Sequence, residues 1–477
     1  MRVAYGAVDL GAGSGRVIRV EVSPQSISTT ECRRFVNEPI TTATGLHWNS
    51  RVLFNEVRAG LRHLAAVDPE VRSVGIDTWG ADYGLLGDGE LLELPFCYRD
   101  PRTVEAQAEV HAAITPADLY ARNGLQALPF NTVYQLVADR QSGLLERADR
   151  LLFTPDLIGY WLTGQIGTER TIASTSGLLD ANSGEWSSSI IGELGLPPEI
   201  LPPLKSAGDE LGLLDPSAGA FTRPTPVRMV ASHDTASAVV ATPLRETGSV
   251  YISCGTWALT GTELERPVLT EAARKAGFTN ERGVDDRVRF QTNVMGLGIL
   301  TAVLRDWSSE GQHVSIEEAL AMAQAVTLPA AAVFDVEDPV FLRAGGERRA
   351  IQEWFTSRGR PAPHGLAALV RCVLESLAES FARSVRSLAD LGGIQPTTIH
   401  LVGGGARNRL LCQLTADRAG LPVLAGPVEA AAIGNALLQY RLDRGEHDSL
   451  PALRRRVESS SPPTLYRPSL GQRSGKM

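Results

Sequence analysis

Residues 3–22 read VAYGAVDLGAGSGRVIRVEV, and the second half of that stretch decides the fold. Val3 to Asp9 carries the apolar run of a buried strand, and Gly11, Gly13 and Gly15 follow it. A dinucleotide-binding fold would place another glycine at position 16 and then a helix. Here position 16 is Arg16, and the chain continues Val17-Ile18-Arg19-Val20-Glu21-Val22. Ile18, Val20 and Val22 share one face while Arg19 and Glu21 take the other, the period-2 signature of a strand. The reading is a β-hairpin with a glycine-rich tip.

A related pattern returns at Ser249-Val250-Tyr251-Ile252-Ser253-Cys254-Gly255-Thr256-Trp257-Ala258-Leu259-Thr260-Gly261. Two strand–glycine turn–strand segments suggest two similar domains, although two unrelated hairpins fit these residues equally well. Residues 72–80 read as a strand and a turn (Val74, Ile76, then Asp77-Thr78-Trp79-Gly80). Pro197-Pro198 and Pro202-Pro203 punctuate surface loops. Further on, Val373, Leu377, Phe381 and Val385 repeat at i+4 and predict a long amphipathic helix, which Gly392-Gly393 can end in a left-handed cap. The segment from Ser459 onward reads as a poorly ordered tail.

At 477 residues the chain exceeds one ordinary domain. No apolar run approaches the roughly 18 residues of a membrane span, and the first residues lack the zones of a signal peptide, so a cytoplasmic chain with no membrane partner is expected. Cys32, Cys97, Cys254, Cys372 and Cys412 are scattered, which argues against a zinc site or a disulfide framework. A net charge of -8 with no basic stripe disfavours a nucleic-acid partner. Lys205, Lys275 and Lys476 are the only lysines, and none follows a GxxxxG run, so there is no Walker A loop.

Chemistry is concentrated at two junctions. Ser232-His233-Asp234-Thr235 lies between an apolar run (Val227, Met229, Val230) and a small-residue helix start, so Asp234 sits at a strand-to-helix turn where a side chain can face a ligand. As a helix N-cap, the competing role, it would contribute roughly 0.5–2 kcal/mol. Ile399 to Val402 forms a second junction with Gly403-Gly404-Gly405 and a helix over 408–419. Exposed N–H groups and the helix dipole there suit a nucleotide phosphate or sugar, though a tight glycine turn also serves packing alone. The two surfaces make sense together if ATP is bound. Backbone amides at Gly13, Ser14 and Gly15 would approach its phosphates, Arg16 would add charge, and Asp9 could hold Mg²⁺ through water. Asp9 also suits a turn before glycine.

The segments AVDLGAGSGR, GIDTWGADYGLL, CYRDPR, TPDLIGYWLTG, ASHDTASAVV, SCGTWALTG, NVMGL, VGGGARN and AGPVEAAAIGNAL run in order from Ala7 to about Leu437. Together they resemble the FGGY family of carbohydrate kinases over nearly the whole chain. The resemblance implies an α/β chain with the two-domain actin/hexokinase/Hsp70-like (ribonuclease H-like) fold and a central interdomain cleft. It divides the chain into an N-terminal domain over 1–244, a C-terminal domain over 245–450 and a tail over 451–477. It further implies transfer of the ATP γ-phosphate, with Mg²⁺, to the 1-hydroxyl of L-rhamnulose, or of another ketose such as L-fuculose. A monomer or weak dimer is expected. Asp234 would be the general base. Gly80, His233, Thr235 and Asn293 would touch the sugar, Thr256 and Gly403, Gly404 and Gly405 the ATP, and residues 13 to 16 its phosphates. Gly298 and Thr301 depart from the tryptophan and glutamine usual after the NVMG turn, so that nucleotide contact is not carried over. Gly13 replaces a more usual serine, and Arg407 a shorter polar residue. The rival of a different class is a non-catalytic nucleotide or sugar sensor on the same scaffold.

Overall fold

The computed structural model describes residues 2–245, 248–309, 311, 313–329, 332–342, 346–445 and 448–469. The chain divides into two compact units. Unit one takes the residues up to Pro243 together with Glu263–Phe290 and Glu429–Ser461, and unit two takes Leu244–Thr262, Gln291–Val428 and the residues from Pro462. The segments 263–290 and 429–461 are returned to unit one, which a linear division could not express.

Unit one is built on the glycine hairpin. Strands β1 (Val3–Leu10), β2 (Ser14–Val22) and β3 (Ile27–Val36) pair antiparallel, with Asp9 opposite Arg16 and Leu10 opposite Gly15. Strand β4 (Val74–Thr78) runs parallel to β1 and sets Asp77 beside Asp9. Strand β5 (Glu210–Leu213) pairs with β6 (Pro226–Arg228), giving the order β5-β6-β4-β1-β2-β3. The near-continuous apolar character of β1 follows from burial on both faces. Helix α1 (Ser50–Val67) lays Leu53, Val57, Leu61 and Leu64 on that sheet, each stabilising it by roughly 1.5–3 kcal/mol on full burial. The Asn49 side chain accepts from the Val52 N–H and starts this helix.

Unit two repeats the plan. Strands β7 (Ser249–Cys254) and β8 (Trp257–Leu264) form the second hairpin, and β9 (Val288–Met295) lies beside β8. Strand β10 (Thr398–Val402) runs parallel to β7, and β11 (Val423–Ala425) parallel to β10, so these five run in the order β9-β8-β7-β10-β11 within a seven-stranded sheet whose edge beside β9 is Phe278–Arg282. Each unit therefore has an antiparallel hairpin whose first strand pairs in parallel with a later one. The two-domain reading rested on this likeness of hairpins. Helix α3 (Leu366–Gly392) buries Val373, Leu377, Phe381 and Val385 as the i+4 pattern requires, and Gly393 ends it at φ 62°.

One expectation is corrected. The segment from Ser459 is ordered beyond that residue, because Thr464–Tyr466 forms a strand, β12, antiparallel to β11. A Ser-Ser-Ser-Pro-Pro run hides a three-residue strand whose partner lies forty residues away. Residues 470–477 fall outside the described residues. Among the described residues, no helix is long and apolar enough to cross a membrane.

Candidate functional site

In unit one the segment Ser232–Thr235 is laced to its surroundings by its backbone. The Thr78 N–H donates to Ser232 O at 2.8 Å, the Ser232 N–H to Glu169 Oε2 at 3.0 Å, and the His233 N–H to Thr171 Oγ1 at 3.2 Å. Asp234 opens helix α2 (Asp234–Val240) as its first residue, with His233 at the N-cap, so the side chain is one position past the capping role. Its Oδ1 accepts from the Thr235 hydroxyl at 3.1 Å and also from the Thr235 N–H. About a third of the Asp234 side chain (32%) stays exposed. Burial raises its carboxyl above the usual range, opposed by His233, the Thr235 donors and Arg289.

His233 is itself held. Its Nε2 lies 3.5 Å from Asp234 Oδ1, and its Nδ1 lies 3.0 Å from Arg289 Nη2 and 3.0 Å from Glu281 Oε2. Gly80 sits in the turn after β4, where a Cβ would meet Thr175 at 2.9 Å. The next residue, Ala81, has φ 70° and is fastened by the Thr175 and Thr132 hydroxyls at 2.9 and 2.7 Å. Behind this turn the buried Asp82 collects the indole N–H groups of Trp48 (2.6 Å) and Trp79 (2.9 Å), the Gln135 amide (3.0 Å) and the Tyr98 N–H (3.2 Å). Burial nevertheless pushes its carboxyl up to about 6.

At the hairpin tip, Gly13 O accepts from the Asn37 N–H at 3.2 Å, and Gly11 N–H donates to Ser14 O at 2.9 Å. Gly15 has no room for a side chain, since a Cβ would stand 2.3 Å from Phe35. Arg16 bridges the carboxylates of Asp9 and Glu429. Asp9 is raised by burial, with Arg16 pulling the other way and Asp234 and Glu429 adding to the rise. Asp77 is fully buried; its Oδ2 accepts from Asn435 Nδ2 at 2.7 Å, while Oδ1 has no protein partner. On the same helix, α4 (Ala430–Asp443), Gln439 Nε2 donates to Asn435 Oδ1 at 2.7 Å and to Gly6 O at 3.0 Å, and Gln439 Oε1 accepts from the Ser73 hydroxyl at 2.6 Å. Two buried carboxylates in register, one with a free oxygen, fit a magnesium ion that keeps most of its waters. Among the described residues no cluster of three or more His, Cys, Asp or Glu side chains forms a metal cage.

In unit two the hairpin tip is neutral. Thr256 O accepts N–H groups from Gly296 and Gly298, both at 3.1 Å, and Gly255 O accepts from Leu297 at 2.8 Å. A Cβ at Gly298 would meet Thr256 at 2.9 Å, so this backbone leaves no space for the bulky residue usual there. The Thr301 hydroxyl turns back to Leu297 O at 3.1 Å. Asn293 lies half-buried on β9. Gly403 has φ 79°, and Gly405 packs so closely that a Cβ would reach Cys254 Sγ at 2.6 Å. The following helix spans Arg409–Ala419; Asn408 is its N-cap, accepting from the Leu411 N–H at 3.0 Å.

Residue patterns did not reveal Asp77, Asp82, Glu281, Arg289 or Asn435. A signal existed for Arg289. It alternates with Phe290 on a strand where Arg289, Phe290 and Gln291 are all fully buried, and an arginine in such a run needs a partner.

Family models match two parts of the chain: residues 4–241 fit the N-terminal domain of the FGGY family of carbohydrate kinases, and residues 250–442 fit its C-terminal domain. The chain is 36% identical to a rhamnulokinase of Bacteroides thetaiotaomicron over 98% of its own length and 96% of that protein. It is 38% identical to a rhamnulokinase of Pectobacterium carotovorum over 97% and 92%. Among solved structures it resembles a xylulose kinase from Rhodospirillum rubrum (TM-score 0.74, 18% identity, covering 98% of this chain and 95% of that one). A gluconate kinase from Lactobacillus acidophilus is also similar (TM-score 0.78, 14% identity, 98% and 94%). At such identities these likenesses concern the fold.

Proposed function

The chain belongs to the FGGY family of carbohydrate kinases, and on that premise we propose that it phosphorylates L-rhamnulose at the 1-hydroxyl with ATP, in rhamnose breakdown. The observation that carries the residue-level reading is Asp234, a partly exposed carboxylate fixed at the start of a helix beside a tethered histidine.

Phosphoryl transfer passes through a loose transition state, so a kinase mainly aligns its nucleophile and neutralises spreading charge. A sugar hydroxyl attacks poorly until its proton has an acceptor. Asp234 takes that proton, a contribution of about 10²–10⁴ in rate. Thr235 limits the rotation of the carboxylate through two hydrogen bonds, and His233 presents Nε2 beside it. Gly80 offers the ketose a side-chain-free approach, with Asp82 fixing the tryptophan wall behind it. Asn293 is proposed as a further sugar contact. Residues 13 to 16 contact the phosphates, and Thr256 with Gly403–Gly405 holds the nucleotide by backbone. Asp9 and Asp77 would hold Mg²⁺, which when bound would offset phosphate charge.

The test is a side-by-side assay of ketose-dependent ADP release with L-rhamnulose, L-fuculose and L-xylulose. The reading expects the highest kcat/KM for L-rhamnulose. Preference for L-fuculose would move the substrate, and ketose-independent ATP consumption would remove the kinase reading.

A further inference from the structure

Arg289 heads the described side chains with no solvent exposure, in order of size, and its partner Glu281 is 5% exposed. Removing two such charges from water carries a penalty of several kcal/mol per ion, and apolar residues of similar volume often serve stability as well or better. Packing alone therefore gives no reason for the pair. Its geometry gives one. Arg289 Nε donates to Arg282 O at 3.0 Å, and Nη2 donates to Glu281 Oε2 at 2.8 Å, so the guanidinium is pinned on two sides. The same Nη2 stands 3.0 Å from His233 Nδ1. A guanidinium can only donate and the Glu281 carboxylate, 3.0 Å from the same Nδ1, can only accept, so the pair clamps this edge of the ring from both sides and leaves Nε2 at the opposite edge. That nitrogen faces Asp234 Oδ1 at 3.5 Å.

We propose that Glu281 and Arg289 are positioning residues of the kinase: they fix the orientation of the His233 ring, so that its Nε2 edge faces Asp234 and the ketose. Glu281 holds Arg289, both clamp the Nδ1 edge of the imidazole, and the ring keeps Nε2 beside the carboxylate that must remain a proton acceptor. Neither residue touches the substrate, and both act through His233. The inference rests on the reading of Asp234 and His233 given above.

The experiment is a double-mutant cycle between the ion pair and His233. Glu281→Leu/Arg289→Met replaces the pair by apolar side chains, and its melting temperature should equal or exceed that of the parent. The account expects kcat/KM for L-rhamnulose to fall about tenfold to a hundredfold, the range typical of residues that orient a functional histidine. KM for ATP should stay within about twofold, since those contacts are untouched. In a His233→Asn background the same double replacement should change kcat/KM by less than about twofold, because the route of its action is gone. Retained activity in the double variant overturns the proposal, as does an equal loss in both backgrounds. Should the double variant fail to fold, the cycle with Glu281→Gln decides by the same criteria. Failure of the base assignment is visible separately, as turnover by Asp234→Asn, whatever the cycle reports.

Discussion

The two hairpins follow one plan and carry opposite chemistry. In unit one, Asp9 faces Arg16 across the hairpin and Asp77 sits beside Asp9 on the next strand. At the matching place in unit two, Ser253 faces Leu259 across the hairpin and lies beside Val402 on the next strand. Unit one concentrates buried carboxylates and an arginine, while unit two offers carbonyls, amides and glycines. A surface that must move a proton and offset phosphate charge needs ionisable groups in a low-dielectric setting. A surface that only holds a nucleotide needs close backbone approach, for which charges are superfluous.

Three substitutions can break or sharpen that contrast. The largest effect is expected for Asp9→Asn, which removes charge from the acidic side: kcat should fall about a hundredfold, in the range for one preorganised electrostatic group. A change confined to the melting temperature would make Asp9 structural and blur the division. Next is Gly405→Ala in unit two, where the added methyl presses on Cys254. Overpacking of this kind costs about 1–3 kcal/mol, and KM for ATP should rise about tenfold while KM for the ketose holds. Equal rises in both would contradict a nucleotide-only role for the neutral turn.

The smallest effect belongs to Asp82→Asn, read through pH. The wild-type carboxyl is raised to about 6 by burial, above its unfolded value. Its stabilising contribution is therefore fully present below the unfolded pKa and lost as pH rises through about 6. Relative to the variant, the wild type should gain stability when the pH falls from 7 to 4.5, by up to about 1.4 kcal/mol per pH unit. Melting curves at the two pH values would show it, and a gap independent of pH would mean that Asp82 does not titrate there.

Much of the scaffold was legible because its signals are local. Arg16 in place of a fourth glycine separated a hairpin from a dinucleotide fold, and the stripe Val373, Leu377, Phe381, Val385 announced a helix that Gly393 does end. Asp234 was placed at its junction by flanking composition alone. What escaped was non-local. Asn435 reaches Asp77 across 358 positions, and Arg289 reaches His233 across 56. No window of sequence contains either meeting. Residues 263–290 and 429–461 likewise join unit one through packing that composition does not report.

Single-turnover phosphoryl transfer by Asp234→Asn, at saturating ATP and L-rhamnulose, tests the central claim most directly. The account predicts a rate reduced by about 10²–10⁴ with ATP still bound at near wild-type affinity. A rate within a few-fold of wild type would show that the ketose proton leaves by another route.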